Sequence, residues 1–540
     1  MFKIKGIKWA LIMTGVQMGT SCMSPKYTDQ LARRVLDAHE KVEPGISRET
    51  VDDVFKGLQS YDAEQRVLRL DVQTVLELSA RHSRYLQDIR DALYVTMLDL
   101  FEERRALGLT SDIDLRYGIG ISDREDDDTD IDIELDETLA SGARISLDLA
   151  SQSEFEPSRD NDRVERLFRT NGAIHISQPV LEGAGYEASH ARLIQAEHNV
   201  VYDLRKFALN RQDFAIDTLR GFYDLIAQQK ALANIKVNTD QSTFLRERSE
   251  AMFKVQMAPY IDVLRSQQQE LSAQSRLSRA SSALETAVRR YVVELGLPVD
   301  VEVELIDDIP ALRPFSAEEE ACIDIALMNR MEIRTGSDRL DDAQRDVRVA
   351  KRGMLPELNV FGRMRYVSDP DEDFPGGDFQ DEMTAGVSLE VPLDKRGRRD
   401  ALKNAQIQLA AAERDFDGQV ANVHIDVIDN INSLRNLHRS VQIEERNNDI
   451  AEKRVRNAVL RFQNGELSNR DVVEAENELL DTRNRLVEAM LDHEIERLRL
   501  LRNMGLLEIN AEGRVAENVK KAGEGIKIFA EAVDVRLPDS

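Results

Sequence analysis

The chain has 540 residues, of which 32% are charged and only 5% are aromatic, with a single Trp. This composition is typical of long solvated helices and argues against a compact enzyme core. The formal net charge of −27 would repel DNA and RNA, so we expect no nucleic-acid partner.

Residues 1–22 are typical of an export signal. Three lysines precede a short apolar run that ends at Val16, and small residues then lead to Cys22. This end of the signal resembles a bacterial lipoprotein signal, except that Gly19 stands where Leu is usual. Two interpretations stay open: lipidation of Cys22, or ordinary cleavage nearby that leaves no modified cysteine. No later stretch has the roughly 18 apolar residues of a membrane helix, so an exported chain held in a membrane requires a lipid anchor or a β-barrel.

Strand-like segments follow a helix that is predicted over roughly residues 70–106. In 113–121 apolar and polar residues alternate, and 383–391 alternates in the same way. About ten residues of such alternation are typical of a transmembrane β-strand, although a half-buried sheet gives the same pattern. Residues 131–135 and 143–149 are further strand-like segments, so the number of strands in the first half stays open.

Two long windows of the chain lack proline, one between Pro179 and Pro259 and the other between Pro392 and Pro538. Because proline breaks helix interiors, both windows are predicted to form very long helices. From Pro179 to Phe253 a continuous helix would measure about 110 Å. A globular domain needs no helix of this length, whereas a duct that crosses a wide aqueous compartment does.

The two windows also align with each other. The sequence from Phe253 matches that from Phe462 without gaps, at an offset of 209 residues that also pairs Asp262 with Asp471. Further upstream, around Pro179, the offset is 213. We interpret the chain as two copies of one unit, with about one extra helical turn in the outgoing helix of the first copy.

Each copy is predicted to contain a helix, strands and a long antiparallel helical hairpin. The predicted ranges are 1–22 for the export signal; 23–69 for an N-terminal periplasmic extension; 70–298 for repeat 1, with strands about 111–179 and a hairpin about 183–297; 299–316 for a linker; 317–507 for repeat 2, with a helix over roughly 317–353, strands about 356–392 and a hairpin about 396–507; and 508–540 for a C-terminal tail.

Residues 70–507 resemble the TolC-type outer-membrane efflux protein family. The motifs that carry the resemblance are Phe462 to Val472 with Gly465, Ser468 and Asp471, similar to a hairpin tip; Leu355 to Leu358, similar to the start of the strands; and Ser177 to Pro179 and Val391 to Leu393, similar to the points where a strand turns into a long helix. The resemblance implies a mainly α fold with a membrane β-barrel portion, in which three chains form one trimeric α/β-barrel duct.

In that family, acidic residues just after the hairpin tip ring the periplasmic entrance. The resemblance places this gate on Asp471 and Glu474, and Asp262 is the matching position of repeat 1. Repeated by threefold symmetry, these carboxylates would form a constriction that attracts cations. Asp262 and Asp471 have an alternative role as caps of the returning helices, and both roles can coexist.

The resemblance also implies that the hairpin tips contact a periplasmic adaptor protein. The residues assigned to this contact are Asn464, Gly465, Leu467 and Ser468 in the second tip and Met257, Ala258 and Pro259 in the first. In the first tip, Gln256 stands at the family's Gly position and Pro259 at its Ser position. Only the second tip therefore follows the family pattern.

The function implied by the resemblance is an outer-membrane exit duct of a tripartite efflux or type I secretion system, with a long periplasmic portion. Its implied partners are two further copies of the chain, outer-membrane lipid, a periplasmic adaptor and an inner-membrane pump. A competing hypothesis is a periplasmic coiled-coil scaffold without a pore. We find no dinucleotide-binding, P-loop, zinc-protease or nucleophile-elbow motif, so we expect no enzyme activity, cofactor or metal.

Overall fold

The computed structural model describes residues 61–62, 67–108, 110–121, 125–157, 164–256, 259–307, 309–368, 379–464, 466–510, 513–518 and 528–531. The predicted export signal with Cys22 lies outside these residues, as do Met257, Ala258 and Gly465. None of the helices in the described ranges has the apolar run that a membrane-spanning segment requires.

The chain consists mostly of helices, with a smaller strand portion. In chain order the elements are β1 Tyr61–Asp62, β2 Val67–Leu70, α1 Val72–His82, α2 Arg84–Leu107, β3 Thr110–Ile121, β4 Glu125–Thr138, β5 Arg144–Pro157, β6 Val164–Pro179, α3 Tyr186–Ser189, α4 Ala191–Lys254, α5 Tyr260–Glu294, β7 Glu302–Leu305, α6 Glu319–Asn329, α7 Met331–Arg352, β8 Glu357–Ser368, β9 Phe379–Glu390, α8 Arg396–Gln463, α9 Asn469–Asn503, β10 Leu507–Ile509 and β11 Val515–Glu517. The predicted mainly α class with a strand portion is confirmed.

The two returning helices match in length and position. Both α5 and α9 have 35 residues, and their first and last residues are 209 positions apart. Each is followed by a glycine with positive φ, Gly296 at +82° and Gly505 at +69°. Glycine adopts this left-handed conformation without strain, which is why it commonly ends helices.

The helices predicted over roughly 70–106 and 317–353 are each interrupted once, so the prediction of single helices was wrong. The interrupting residues, Ser83 and Arg330, have nearly identical extended backbone angles (φ −62°, with ψ 127° and 129°). Tertiary packing explains both breaks. A Cβ on Gly296 would lie 2.1 Å from the carbonyl oxygen of His82. Each break therefore lies where a loop that contains a glycine packs closely against the end of the helix.

The prediction of which outgoing helix is longer was wrong. α8 has 68 residues and α4 has 64, so the second outgoing helix is one turn longer, not the first. Both end at equivalent positions, Lys254 and Gln463. The extra residues of the first half lie in the connector 180–190, where Gly183 and Gly185 have φ of +74° and +84° and so interrupt the helix.

The chain divides into two compact units. The first comprises Met1–Asp91, Arg205–Ile333 and Gln419–Ser540. Its core includes Leu68 and Leu70 of β2, which pairs in parallel with β7. Part of the predicted C-terminal tail lies here too, because β11 pairs with β10.

The second unit comprises Ala92–Leu204 and Arg334–Gly418 and contains a six-stranded antiparallel sheet. Its strand order is β3-β4-β5-β6-β8-β9, with 12-residue strands at both edges. Four of these strands come from the first half of the chain and two from the second. The strand number that the sequence left open is therefore four.

The register of this sheet places apolar residues in line across five strands. We name them the apolar row: Leu135, Leu147, Ile174, Met364 and Met383. Their sequence neighbours on the other face include the register pair Glu134 and Asp148. In the single chain the apolar side is open to solvent on the last strand, where Met383 is 80% exposed and Val387 is 65% exposed.

Candidate functional site at the hairpin tips

A small apolar cluster lies next to the second hairpin tip, in the first unit. Its buried members are Leu245, Ala458, Phe462, Val472 and Ala475. The Arg248 guanidinium lies 5.3 Å from the centre of the Phe462 ring, which favours a cation–π contact. Helices α4, α8 and α9 all contribute to this cluster, so it fixes the base from which the second tip projects.

The second tip is capped by a pair that the sequence had assigned to different roles. Ser468 precedes α9, and its backbone N–H donates to Oδ2 of Asp471 at 3.0 Å. The Ser468 hydroxyl also donates to the same oxygen, at 2.6 Å. These hydrogen bonds hold the pKa of Asp471 below its ordinary value, so the exposed carboxylate is ionised at neutral pH. The capping role of Asp471 is confirmed, and its gate role stays a prediction.

The first tip has different local chemistry. Pro259 precedes α5 and has no N–H, so Asp262 cannot accept the bond that Asp471 accepts in the second tip. Instead, Asp262 lies 3.6 Å from Arg265 of its own helix. Gln256 has φ of +62°, a left-handed conformation that costs a non-glycine residue roughly 1 kcal/mol or more. The first tip therefore has a strained residue and lacks the reciprocal cap.

Glu474, the second carboxylate predicted for the gate, lies in the second turn of α9. Its carboxylate is 3.4 Å from Arg454 of α8, and both side chains are exposed. Such a pair contributes at most about 1 kcal/mol, so Glu474 can be released from it at little cost. Among the described residues, no hydrogen bond or ion pair joins Asp262 to Asp471 or to Glu474.

The sequence reasoning missed Glu476, two residues further along α9. This side chain is only 7% exposed, and burial raises its pKa to about 7. A signal was present, because Glu476 follows the apolar Val472 by four residues, a spacing that places both on one helical face. The equivalent position of the first half holds Gln267, which cannot ionise.

Residues 322–506 match the sequence profile of the Outer membrane efflux protein family. The predicted resemblance to this family is confirmed, and with it the predicted outer-membrane location and the expectation that the protein is not an enzyme.

Individual relatives are distant. Nodulation protein T of Rhizobium leguminosarum bv. trifolii is 22% identical over 306 residues, which span 56% of this chain and 64% of that protein. The chain thus matches less than two thirds of that relative's length.

Solved structures show the same fold at low identity. The outer membrane protein VceC from Vibrio cholerae has a TM-score of 0.62 and 14% identity, over 80% of this chain and 96% of VceC. The Campylobacter jejuni CmeC outer membrane channel has a TM-score of 0.59 and 11% identity, over 85% of this chain and 90% of CmeC. This similarity shows a fold shared with outer-membrane channels.

Proposed function

We propose that the protein is the outer-membrane exit duct of an efflux or secretion system, built from three copies of this chain. One observation carries the proposal: the chain combines two very long helical hairpins with an antiparallel sheet whose apolar row is half-buried to exposed in the single chain, with Met383 80% exposed. Water disfavours such a surface, whereas the hydrocarbon of a membrane accommodates it. A coiled-coil scaffold would need no such sheet.

The two halves of the chain are, in this proposal, copies of one unit. Support comes from the equal lengths of α5 and α9, their constant offset and the glycines that follow them. Three chains then supply six similar hairpins, which can surround one lumen with pseudo-sixfold symmetry. The membrane portion closes as a β-barrel because closure removes the unpaired edges that lipid does not tolerate.

The proposed gate is a ring of Asp471, Glu474 and Asp262 from each chain at the periplasmic entrance. Asp471 supports this role because it is exposed, ionised and held in place by Ser468. The ring would slow the entrance of anions and attract cations. The tips beside it, around Ser468 and Pro259, would contact a periplasmic adaptor that links the duct to an inner-membrane pump.

Cys22 is the proposed lipid anchor, at the end of the export signal over residues 1–22. Whole-protein mass spectrometry of the membrane-extracted chain tests this assignment. We expect a mature chain that begins at Cys22 and carries the added mass of a lipid. A mature chain without that added mass would remove the anchor and leave the barrel as the means of membrane attachment.

Trimer formation in detergent tests the proposed function as a whole. The purified protein should migrate as a trimer on unheated denaturing gels and as a monomer after boiling, as closed membrane barrels resist detergent. A monomer that stays soluble without detergent would contradict the proposal, because such a chain could not expose the apolar row.

A further inference from the structure

The sheet of the second unit contains one hairpin more from the first half of the chain than from the second. The second half enters the sheet through β8 and leaves it through β9 directly into α8. The first half enters through β3 and leaves through β6, with β4 and β5 between them. Relative to the pattern of the second half, the strands Glu125–Thr138 and Arg144–Pro157 are therefore surplus.

The surplus hairpin is fully integrated into the sheet. β4 pairs with β3 over 12 positions, from Thr110 opposite Asp136 to Ile121 opposite Glu125. β5 pairs with β6 over 14 positions. The apolar row also runs through both added strands, at Leu135 and Leu147. Continuous pairing and a continuous apolar face are what a barrel wall requires, and a plug or a surface flap requires neither.

The two halves also differ in the connector between the last strand and the long helix, and the longer connector accommodates the turn of this hairpin. The connector from strand to long helix is residues 180–190 in the first half, against 391–395 in the second. Gly185 of the longer connector donates its N–H to the carbonyl of Ser141 in the β4–β5 turn, at 3.2 Å. A Cβ on Gly142 of the same turn would lie 2.9 Å from the carbonyl oxygen of Gly183. The longer connector therefore packs against the turn of the added hairpin.

The two edge strands of the sheet match in length and have opposite directions. β3 and β9 lie at opposite ends of the strand order, and each has 12 residues. Neighbouring strands alternate in direction, so six strands leave the two edges antiparallel to each other. The edge β9 of one chain can therefore pair with β3 of the next and continue an antiparallel barrel.

On the basis of the trimeric duct argued above, we propose that the barrel has six strands from each of three chains, eighteen in all. The occupant of each sheet edge is a second copy of this chain. With strands about 4.8 Å apart and tilted by about 40°, the backbone circle has a radius of about 18 Å. Two strands from each half of the chain would give twelve strands and a radius of about 12 Å. The added hairpin thus enlarges the cross-section of the outer mouth about twofold, so this duct accepts bulkier cargo there.

Cysteine cross-linking between chains identifies the strand that pairs with β9. In a Cys322→Ser background, cysteines placed in turn at alternate positions 113 to 119 of β3 are combined with Ala385→Cys in β9. We expect covalent trimers on oxidation. The matched control combines Leu149→Cys in β5 with Ala385→Cys, which would react only if β3 and β4 lay outside the wall. Products from the β5 pair, or none from the whole β3 series, would overturn the inference.

Electron cryomicroscopy of the purified full-length protein provides the strand count directly. It should show eighteen strands, and a variant that lacks residues 125–157 should show twelve, because β3 and β6 are antiparallel and can pair once β4 and β5 are removed. A twelve-stranded barrel in the full-length trimer would overturn the inference and leave the proposed duct intact. Absence of any trimeric barrel would instead contradict the proposed function.

Discussion

Glu476 lies on the buried face of α9, and its replacement by glutamine should stabilise the protein at neutral pH. Burial raises the pKa of this carboxyl from 4.5 to about 7. Because the pKa is raised in the folded state, stability is greatest below the unfolded pKa and falls as the pH rises towards 7. At 1.36 kcal/mol for each pH unit, the loss between pH 4.5 and 7 amounts to about 3 kcal/mol per chain. Glu476→Gln removes this loss, because an amide of nearly the same size does not ionise.

The assay is thermal unfolding of the detergent-purified protein at several pH values from 4.5 to 8. Many other carboxylates titrate in this range, so the quantity of interest is the difference in Tm between Glu476→Gln and the unaltered protein. That difference should increase with pH and level off above about 7. Glu488→Gln is the control, since Glu488 is exposed on the same helix. A difference for Glu476→Gln that does not vary with pH would refute the reasoning.

Three further predictions concern the elements that shape the hairpins. Gly296→Ala should destabilise the protein by about 2 kcal/mol or more, because alanine is strained at positive φ and its Cβ would clash with the end of α1. The control Gly418→Ala, inside α8, should be neutral or stabilising by up to about 1 kcal/mol. Thermal unfolding compares the two variants, and equal effects would contradict the packing argument. Arg497→Met should lower the free energy of unfolding by about 3 to 5 kcal/mol, because it leaves the buried Glu494, which is 2.8 Å away, without its ion pair. In a denaturant titration, the double variant with Glu494→Gln should recover most of this loss. Ser468→Ala should raise the pKa of Asp471 towards its ordinary value and speed amide hydrogen exchange in the first turn of α9, and unchanged exchange there would contradict the cap.

The sequence predicts the hairpins well because their signals are local. A long window without proline permits a helix, and the motif around Ser468 fixes where the returning helix starts. The equal offset of Asp262 and Asp471 likewise places both residues in the first turn of their helices, as the structure shows. These features depend on short stretches of chain, and composition and spacing are enough to find them.

Other features depend on contacts that are distant in sequence, and the sequence alone did not reveal them. The breaks at Ser83 and Arg330 occur without a proline or glycine, because a glycine loop from another helix presses on each site. The helix α8 was predicted to be the shorter outgoing helix but is the longer one. The alignment of the two halves shows that the first half has four more residues in this region, but not whether those residues are helical. Glu476 was overlooked for a related reason: a glutamate on an amphipathic helix is usually exposed, so its spacing from Val472 was not enough to predict its burial.

The central claim, a water-filled duct closed by an acidic gate, is tested most directly by planar-bilayer recording. The full-length protein should form small, cation-selective channels. The double variant Asp471→Ala with Glu474→Ala should show higher conductance or weaker cation selectivity, because the constriction loses charge and its ties to Ser468 and Arg454. Absence of any channel from a trimeric preparation would contradict the duct, and currents identical in both proteins would contradict the gate.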